Sequence, residues 1–410
     1  MARILLATHG SRGDIQPVLA LALGLQAAGH QVRLSGPPDF SAWVAGYGIE
    51  YRPVGSSIQE LIATRGPELM RNPLTVLHEM RQLMQDNLTR QFSATLPLAE
   101  GCDLVLGASL QLSAFSAAEY WQIPYRYLVF CPSLLPSRAH MPLFSPWPVL
   151  HPLIHQPVWH LLGLAWQASL GRVLNRERHT CGLPPVADVV TRFLTPQPLL
   201  AAYRELAPAP PDCHVAQVPA LHLPLSDSEL PPAVEAFLEA GPPPVYFGFG
   251  SMNDGRAEAS TDTLLQLAEQ RGTRLILSSG WGGLSGTVRV PENVLLVDDV
   301  AHGLLFPRLR AVVHHGGAGT TQAAARAGIP QLIIPHLLDQ YYWARAVSDR
   351  QLGPPGFVKR HFKLSSLQAA VQALTREPYQ LSARALGARL SRQQGVHEAV
   401  NWLEQQVPKT

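Results

Sequence analysis

A short apolar run, a glycine-rich turn and an alanine-rich stretch follow one another at residues 309–327, and this succession constrains the fold most. The run covers 309–313, the turn 314–321 (HHGGAGTT) and the stretch 322–327. The pattern predicts a buried strand, a tight turn and a helix. Successive backbone N–H groups at such a helix start favour an anion, and histidine and threonine side chains add donors. The segment predicts a phosphate site, although a plain strand-to-helix turn has the same pattern.

The same alternation of strand and helix runs through both halves of the chain. Alternation of this kind predicts the α/β class, with parallel sheets and with ligands at the carboxyl ends of the strands. Each half has its own glycine-rich turn, so we expect two Rossmann-like domains that face one another across a cleft. Hydrophobic periodicity predicts strands at 3–8, 31–35, 103–107, 125–130, 244–249, 273–278, 294–297, 310–314 and 331–334, and helices at 15–28, 39–46, 112–120, 260–271, 318–327, 342–351 and 365–375.

Length and proline content suggest where one domain ends and the next begins. A chain of 410 residues exceeds a single hydrophobic core and fits two domains. Prolines crowd residues 206–244, which we expect to form the inter-domain region, with a short helix at 234–239. We therefore predict domains at 1–215 and 216–380. A helical tail at 381–410 is expected to pack back on the first domain.

Composition excludes several classes of protein. The formal net charge is only +2, without a basic run, so no nucleic-acid partner is expected. The four cysteines are far apart and lack zinc spacing, which predicts reduced thiols in a cytoplasmic protein. The first apolar run is too short for a signal peptide, and no stretch reaches the length of a membrane span. Weak contact of segment 133–178 with a membrane surface and the oligomeric state both stay open.

Two long segments, 55–90 and 133–178, interrupt the alternation and are rich in Trp, Met, Pro and His. We expect them to be irregular. Long elaborations of α/β domains are usually functional or simply decorative. Their apolar side chains are candidates for a pocket that binds a lipophilic molecule. The alternative is that 158–174 is simply a core helix. The candidate pocket residues are Met84, Met141, Phe144, Trp147, Trp159 and Trp166, with His9 lining the cleft.

Four ordered motifs together carry a resemblance to a known family. They are Gly-Ser-Arg-Gly-Asp at 10–14, Leu-Pro-Pro at 183–185, the segment 237–252, and the turn 314–321 followed by Pro-His-Leu-Leu-Asp-Gln at 335–340. This set resembles the inverting GT-B glycosyltransferases, and within them most closely the group of sterol glucosyltransferases and glycopeptide-antibiotic glycosyltransferases. The motifs extend from residue 3 to about residue 356, which is most of the chain. The resemblance implies an acceptor-binding first domain and a donor-binding second domain.

The resemblance implies that Asp14 is the catalytic base. Asp14 follows a strand end, in the turn where an α/β sheet places its site, and we expect it at the first residue of a helix. Plant relatives carry histidine at this position, oriented by a partner aspartate. The sequence Gly-Ala-Ser at 107–109 has no convincing equivalent of that partner, so a direct carboxylate base is expected. The alternative for Asp14 is a helix N-cap.

The resemblance also assigns the donor site. Asp339 and Gln340 match the positions that bind hydroxyls of the donor sugar. No metal is expected, because N–H dipoles and a histidine replace the cation, and Asp298-Asp299 lacks the Asp-x-Asp spacing. The residues expected around the diphosphate are Ser11, Arg12, Ser251, His315, Gly316, Gly317, Gly319, Thr320 and Thr321.

The nucleobase is expected near Val300, with Trp281 as a wall of its pocket. No tryptophan stands at the base-stacking position of the plant relatives, and Ala323 stands at their ribose-binding glutamate. UDP- and dTDP-sugars therefore both stay open, with UDP-glucose the donor that we expect.

These assignments predict an inverting glycosyltransferase without a cofactor. It would move a hexose from a nucleoside-diphosphate sugar to a hydroxyl of a lipophilic small molecule, such as a sterol, triterpenoid or polyketide. One alternative is a sugar-nucleotide epimerase or a cell-wall N-acetylglucosamine transferase on the same fold. Another is a nicotinamide oxidoreductase, although residues 248–253 fail the last position of Gly-x-Gly-x-x-Gly. A non-catalytic nucleotide-binding module is the last alternative.

Overall fold

The chain folds around two parallel β-sheets, as a computed structural model shows. The structure describes residues 1–57, 60, 73–142, 151–195, 197–225, 229–249, 257–278, 290–298, 300–357 and 363–408; at 73–80, 257–260 and 271 it describes the backbone alone.

Seven strands of the described residues form the first sheet, in the order β3-β2-β1-β4-β5-β6-β7. All neighbours run parallel, and β1 pairs with β2 on one side and with β4 on the other. The strands are β1 (Arg3–His9), β2 (Gln31–Gly36), β3 (Glu50–Pro53), β4 (Leu104–Ser109), β5 (Tyr125–Val129), β6 (Leu199–Ala201) and β7 (Ala216–Val218).

Five described strands form the second sheet, in the order β10-β9-β8-β11-β12, again all parallel. In both sheets the chain order reverses beside the first strand of the sheet, between β1 and β4 and between β8 and β11. A crevice opens at such a switch point beyond the carboxyl ends of the strands. The strands are β8 (Val245–Gly248), β9 (Leu275–Ser278), β10 (Val294–Val297), β11 (Ala311–His314) and β12 (Gln331–Ile333).

Fifteen α-helices of the described residues cover the two sheets. The predicted α/β class with two facing parallel-sheet domains is confirmed. The helices are α1 (Arg12–Ala27), α2 (Ser41–Ala45), α3 (Pro73–Leu98), α4 (Ala114–Tyr120), α5 (Pro152–Trp166), α6 (Arg172–Thr180), α7 (Val189–Leu194), α8 (Pro232–Glu239), α9 (Ala257–Arg271), α10 (His302–Leu305), α11 (Ala318–Ala327), α12 (Gln340–Asp349), α13 (Leu364–Leu374), α14 (Glu377–Leu390) and α15 (Gly395–Glu404).

The expectation that 55–90 and 133–178 are irregular was wrong in large part. Helix α3 begins within the first segment, and α5, a π-helical turn at Gln167–Gly171 and α6 follow one another in the second. Proline was the misleading signal. Pro73 and Pro152 each stand at the first helical residue, where no hydrogen bond from the missing N–H is needed.

Proline also hid part of the inter-domain region. The predicted short helix is present as α8, but β7 extends the first sheet to Val218, three residues beyond the predicted boundary at 215. The strands β3, β6 and β7 were not predicted, since each has only three or four residues and lacks a clear alternation.

The end of the chain returns to the first domain. Ala399, Val400 and Leu403 of α15 belong to the same buried core as Ile15 and Leu19 of α1. A Cβ on Gly24 of α1 would lie 2.4 Å from Cγ1 of Val396, so glycine lets the two helices approach closely.

The segment after β6 joins the two domains through polar contacts. Gln322 of α11 accepts a hydrogen bond of 2.9 Å from the backbone N–H of Tyr203, in a buried position. Arg326, one turn further along α11, donates to the Tyr203 hydroxyl at 3.1 Å. The backbone carbonyl of Glu205 accepts from Arg350, which follows α12, at 2.5 Å. These contacts hold the carboxyl ends of the two sheets on either side of one cleft.

Candidate active site

Asp14 lies in the turn between β1 and α1. Helix α1 begins at Arg12 with Ser11 as its N-cap, so Asp14 is the third helical residue rather than the first, and it is not the N-cap. Its Oδ2 accepts from the Ser11 backbone N–H at 2.8 Å and from the Ser11 hydroxyl at 3.1 Å. A Cβ on Gly10 would lie 2.3 Å from the same oxygen. Glycine at position 10 therefore leaves the space that the carboxylate occupies.

Ser109 at the end of β4 holds the other carboxylate oxygen. It pairs with His9 across the switch point, and its Oγ donates to Oδ1 of Asp14 at 2.7 Å. Its carbonyl accepts from the Tyr127 hydroxyl at 2.5 Å. Burial raises the pKa of Asp14, against the hydrogen bonds from Ser109 and Ser11, which lower it. Sequence reasoning missed Ser109 because serine at a strand end is common, and only the parallel pairing brings it to Asp14.

The glycine-rich turn of the second domain is shaped by a buried histidine. The Nδ1 of His314 accepts from the Gly316 N–H at 3.1 Å, and its Nε2 pairs with Gln331 of β12 at 2.9 Å. Gly316 has a φ of 97°, and a Cβ there would lie 2.6 Å from Ile333. Burial, with the neighbouring His315, lowers the pKa of His314 to about 3. A neutral His314 therefore fixes a turn that requires glycine.

His315 lies over the start of α11. Its Nε2 is 2.7 Å from where a Cβ on Gly317, the N-cap, would stand. Burial lowers the pKa of His315 to about 4, and the nearby His336 acts in the same direction. The first N–H groups of a helix lack intrahelical acceptors. The N–H groups at the start of α11 and the His315 ring thus form one group of hydrogen-bond donors at the switch point of the second sheet.

The two threonines of the turn differ in their surroundings. Thr320 is partly exposed, and at Gly319 a Cβ would meet no atom within 4 Å. Thr321 is fully buried, and its hydroxyl donates to the carbonyl of Gly317 at 2.9 Å. The hydroxyl of Thr321 therefore holds the helix start together.

Asp339 and Gln340 close the loop after β12. Oε1 of Gln340 accepts from the backbone N–H groups of His336 at 2.7 Å and of Leu337 at 3.0 Å. Oδ2 of Asp339 accepts from Nε1 of Trp343, one turn further along α12, at 2.9 Å. A Cβ on Gly316 would lie 3.2 Å from the Gln340 carbonyl. The loop and the glycine-rich turn therefore touch.

The charge of one predicted carboxylate, Asp14, affects the pKa of the other, Asp339. Burial raises the pKa of Asp339 to about 6, against the hydrogen bond from Trp343, and the charge of Asp14 raises it further. Asp14 belongs to the first domain and Asp339 to the second. The fold places the two carboxyl groups so that the charge of one acts on the other.

Other predicted donor residues are placed differently. The Ser11 hydroxyl bonds to Asp14, and the Arg12 guanidinium lies 4.6 Å from the ring centre of Trp43 of α2. Val300 is partly buried against the core between the second sheet and α11, as is Ala323. Four predicted site residues lie outside the described residues: Phe144, Trp147, Ser251 and Trp281.

The predicted acceptor residues lie on the first-domain side. His9 is buried at the end of β1, and burial lowers its pKa to about 4. Met84 of α3 packs against the core cluster that both domains share. Nε1 of Trp159 donates to the His140 carbonyl at 3.2 Å, and the His140 ring lies 6.5 Å from that of Tyr342 of α12. Trp159 thereby connects to the second domain.

Comparisons with known proteins agree with this arrangement. Residues 4–137 match the glycosyltransferase family 28 N-terminal domain, and residues 264–401 match the C-terminal domain described as erythromycin biosynthesis protein CIII-like. The vancomycin aglycone glucosyltransferase of Amycolatopsis orientalis is 38% identical over 86% of this chain and 85% of its own. A sterol 3-beta-glucosyltransferase of Arabidopsis thaliana is 30% identical over 99% of this chain and 68% of its own.

Solved structures share the fold. The spinosyn forosaminyltransferase SpnP has a TM-score of 0.72 at 19% identity, with all of both chains covered. Glycosyltransferase VinC in complex with dTDP has a TM-score of 0.68 at 20% identity, covering 99% of each chain.

Fold and site together define a GT-B enzyme with its cleft between two Rossmann-like domains. The chain belongs to the glycosyltransferase family that contains the glycopeptide and sterol glucosyltransferases, and it is a glycosyltransferase. Among the described residues, no helix combines the length and the apolar content that a membrane span requires.

Proposed function

We propose that this protein transfers a hexose from a nucleoside-diphosphate sugar to a hydroxyl of a lipophilic small molecule, with inversion at the anomeric carbon. The observation that carries the proposal is the placement of Asp14. Three hydrogen bonds hold its carboxylate at the switch point of the first sheet, and its charge acts on Asp339 of the donor domain.

Asp14 is the proposed general base. Its carboxylate takes the proton of the acceptor hydroxyl while the acceptor oxygen attacks the anomeric carbon. The bond from that carbon to the diphosphate oxygen breaks, and the electron pair leaves with the nucleoside diphosphate. Burial raises the pKa of Asp14, which makes the carboxylate a stronger base. Attack from the face opposite the leaving group inverts the anomeric centre.

The start of α11 is the proposed site of the departing diphosphate. Its N–H groups, the helix dipole and the neutral ring of His315 can all donate to or stabilise the developing negative charge. Gly316, Gly317 and Gly319 let the phosphates approach the backbone. Ser11, Arg12, Ser251 and Thr320 stay predicted contacts of the diphosphate, and Thr321 acts by holding the turn.

The loop after β12 is the proposed site of the sugar. Because Oε1 of Gln340 already bonds two backbone N–H groups, the NH₂ of its amide is the group that we assign to a sugar hydroxyl. Trp343 orients Asp339, whose carboxylate accepts hydrogen bonds from vicinal hydroxyls of the sugar. UDP-glucose is the proposed donor. The relatives named as glucosyltransferases support glucose, and Val300 and Trp281 are the proposed base contacts.

The acceptor pocket is the proposed source of specificity for lipophilic molecules. His9, Met84 and Trp159, with Phe144 and Trp147, are the proposed contacts on the first-domain side. The relative named for a sterol supports a large, mostly apolar alcohol. Each buried methylene contributes about 0.8 kcal/mol of binding free energy, so large apolar acceptors are favoured. A difference of one methylene discriminates little between related acceptors.

Incubation of the protein with UDP-glucose or dTDP-glucose and a panel of sterols and hydroxylated polyketides tests the proposal. We expect a glucoside in the mass spectrum and a β-anomeric proton coupling by NMR, with similar yield in EDTA and in Mg²⁺. An α-glucoside would overturn inversion, and loss of activity in EDTA would overturn the metal-free leaving-group site. Conversion of UDP-N-acetylglucosamine without any acceptor would favour the epimerase alternative.

A further inference from the structure

Helix α5 exposes an apolar face to solvent. Leu153, Leu161 and Leu164 are 80%, 64% and 53% exposed, and Ile154 is 40% exposed. Among the side chains that the structure describes, no other helix has more than one such exposed large apolar side chain. Residues 153, 157, 161 and 164 follow one another at intervals of three or four, so they lie on one side of the helix.

The opposite side of α5 already packs against the protein. His155 is buried, its Nδ1 lies 2.6 Å from the Arg138 carbonyl, and Trp159 donates to His140. Trp166 stacks at an angle against Phe193, with ring centres 6.0 Å apart. The outward side is therefore a second apolar surface. The exposed Gln156 and His160 border it, and an exposed apolar patch with a polar rim marks an interaction surface.

Basic side chains lie beside this face. Residues 131–176 contain no aspartate or glutamate, although the whole chain has 30 acidic residues. Arg172 of α6 is exposed just beyond the apolar face, whereas Arg176, also exposed, is paired with Glu177. Arg81 of α3 is exposed beside it and donates to the Ala168 carbonyl at 3.3 Å. An apolar face bordered by arginines complements a surface of acyl chains beneath anionic headgroups.

We propose that the outward face of α5 binds the surface of a bilayer that contains anionic lipids. The helix lies in the plane of the interface, with Leu153, Leu161 and Leu164 among the upper acyl chains and the arginines at the headgroups. Trp159 on its inner side connects through His140 to the cleft. Membrane binding itself is independent of the proposed function. The delivery of a membrane-dissolved acceptor to the cleft, in contrast, rests on the proposed function.

Co-sedimentation of the full chain with vesicles tests the proposal. We expect binding to vesicles of phosphatidylcholine mixed with phosphatidylglycerol, weaker binding to phosphatidylcholine alone, and weakening by salt. The double variant Leu161→Gln/Leu164→Gln should bind at least about tenfold more weakly, because two exposed leucines no longer enter the acyl region. Arg172→Glu should weaken binding to the mixed vesicles and leave binding to phosphatidylcholine unchanged.

Leu381→Gln is the matched control, since Leu381 is 56% exposed on α14 of the other domain. It should bind as the parent protein does. The proposal is overturned if the parent protein leaves both kinds of vesicle in the supernatant, or if the double variant binds as well as the control. It is also overturned if the leucine variant converts a dimer to a monomer in sedimentation velocity, because a second copy then covers the face. Glucoside formation from a detergent-dispersed acceptor is measured separately and tests the proposed function alone.

Discussion

Ser109 at the end of β4 donates a hydrogen bond to Asp14 in the first turn of α1, across the switch point of the first sheet. The Ser109 hydroxyl lies 2.7 Å from Oδ1 of Asp14, and Ser109 has a φ of 53°, in the left-handed region. A non-glycine residue pays roughly 1 kcal/mol or more for that conformation. The Tyr127 hydroxyl, bonded to the Ser109 carbonyl, helps to hold it. We regard Ser109 as a positioning residue for the proposed base.

Asp14→Asn should lower turnover roughly 10²–10⁴-fold while binding of the nucleoside diphosphate is unchanged. The amide keeps the size of the side chain but cannot take the proton of the acceptor. Turnover and product binding by calorimetry are the measurements. Asp262→Asn, at an exposed position of α9, is the control and should be fully active. Near-normal turnover of Asp14→Asn would eliminate the direct-base proposal.

Ser109→Ala should lower turnover at neutral pH by about 10–100-fold, the loss expected for one hydrogen bond to a charged group. The Ser109 hydrogen bond lowers the pKa of Asp14, so its removal raises that pKa. The acidic limb of the kcat/KM profile should then move to higher pH. Ser109→Gly should show the same shift and greater stability than the alanine variant, because glycine adopts the positive φ readily. Ser93→Ala on the surface of α3 is the control. An unmoved profile would leave Ser109 with a structural role only.

His315→Ala should weaken binding of the nucleoside diphosphate by roughly 10–150-fold, as expected for one lost donor to a charged group. The pKa of His315 is about 4, so the ring is neutral at and above neutral pH. Its contribution to binding should therefore be constant between about pH 6 and pH 8. Exposed His179→Ala on α6 serves as the comparison. A contribution that grows as the pH falls through 6.5 would show a charged ring instead.

Gly316→Ala should destabilise the protein by about 2–4 kcal/mol in urea unfolding. Its φ of 97° is strained for alanine, and the new methyl group would lie 2.6 Å from Ile333. Gly319→Ala is the matched substitution three residues along, where a Cβ meets nothing within 4 Å. There alanine should be neutral or stabilise α11 by up to about 1 kcal/mol. Equal effects of the two substitutions would contradict the described turn.

Buried histidines should make the protein less stable in acid. Burial lowers the pKa of His222 to about 4, with the charge of Arg326 acting in the same direction. Between that value and the ordinary 6.5 the unfolded chain binds more protons, so stability is lost as the pH falls through this window. In His222→Gln, the loss of unfolding free energy from pH 7 to pH 5 should be smaller by about 1–2 kcal/mol. His179→Gln should lose as much unfolding free energy from pH 7 to pH 5 as the parent protein does. An equal loss in both variants would mean that His222 is protonated alike in the folded and the unfolded state.

Local patterns in the sequence determined much of this protein. Apolar runs and helical spacing predicted the central strands β1, β8 and β11 and the helices that follow them, because each buries one continuous face. The glycine-rich turn was also predictable, since His314–Thr321 carries its chemistry within eight residues. Short edge strands and helices that begin at proline were missed, because their local signal is weak or misleading.

Tertiary structure alone decided how distant residues meet. Parallel pairing of β1 with β4 brings Ser109 to Asp14 from 95 positions away, and domain packing lets the charge of Asp14 act on Asp339. Burial, and with it the raised pKa of both carboxyl groups, follows from that packing. The apolar outer face of α5 likewise emerged only in the fold. Periodicity shows that a helix is apolar, but only the surrounding structure decides which of its sides is covered.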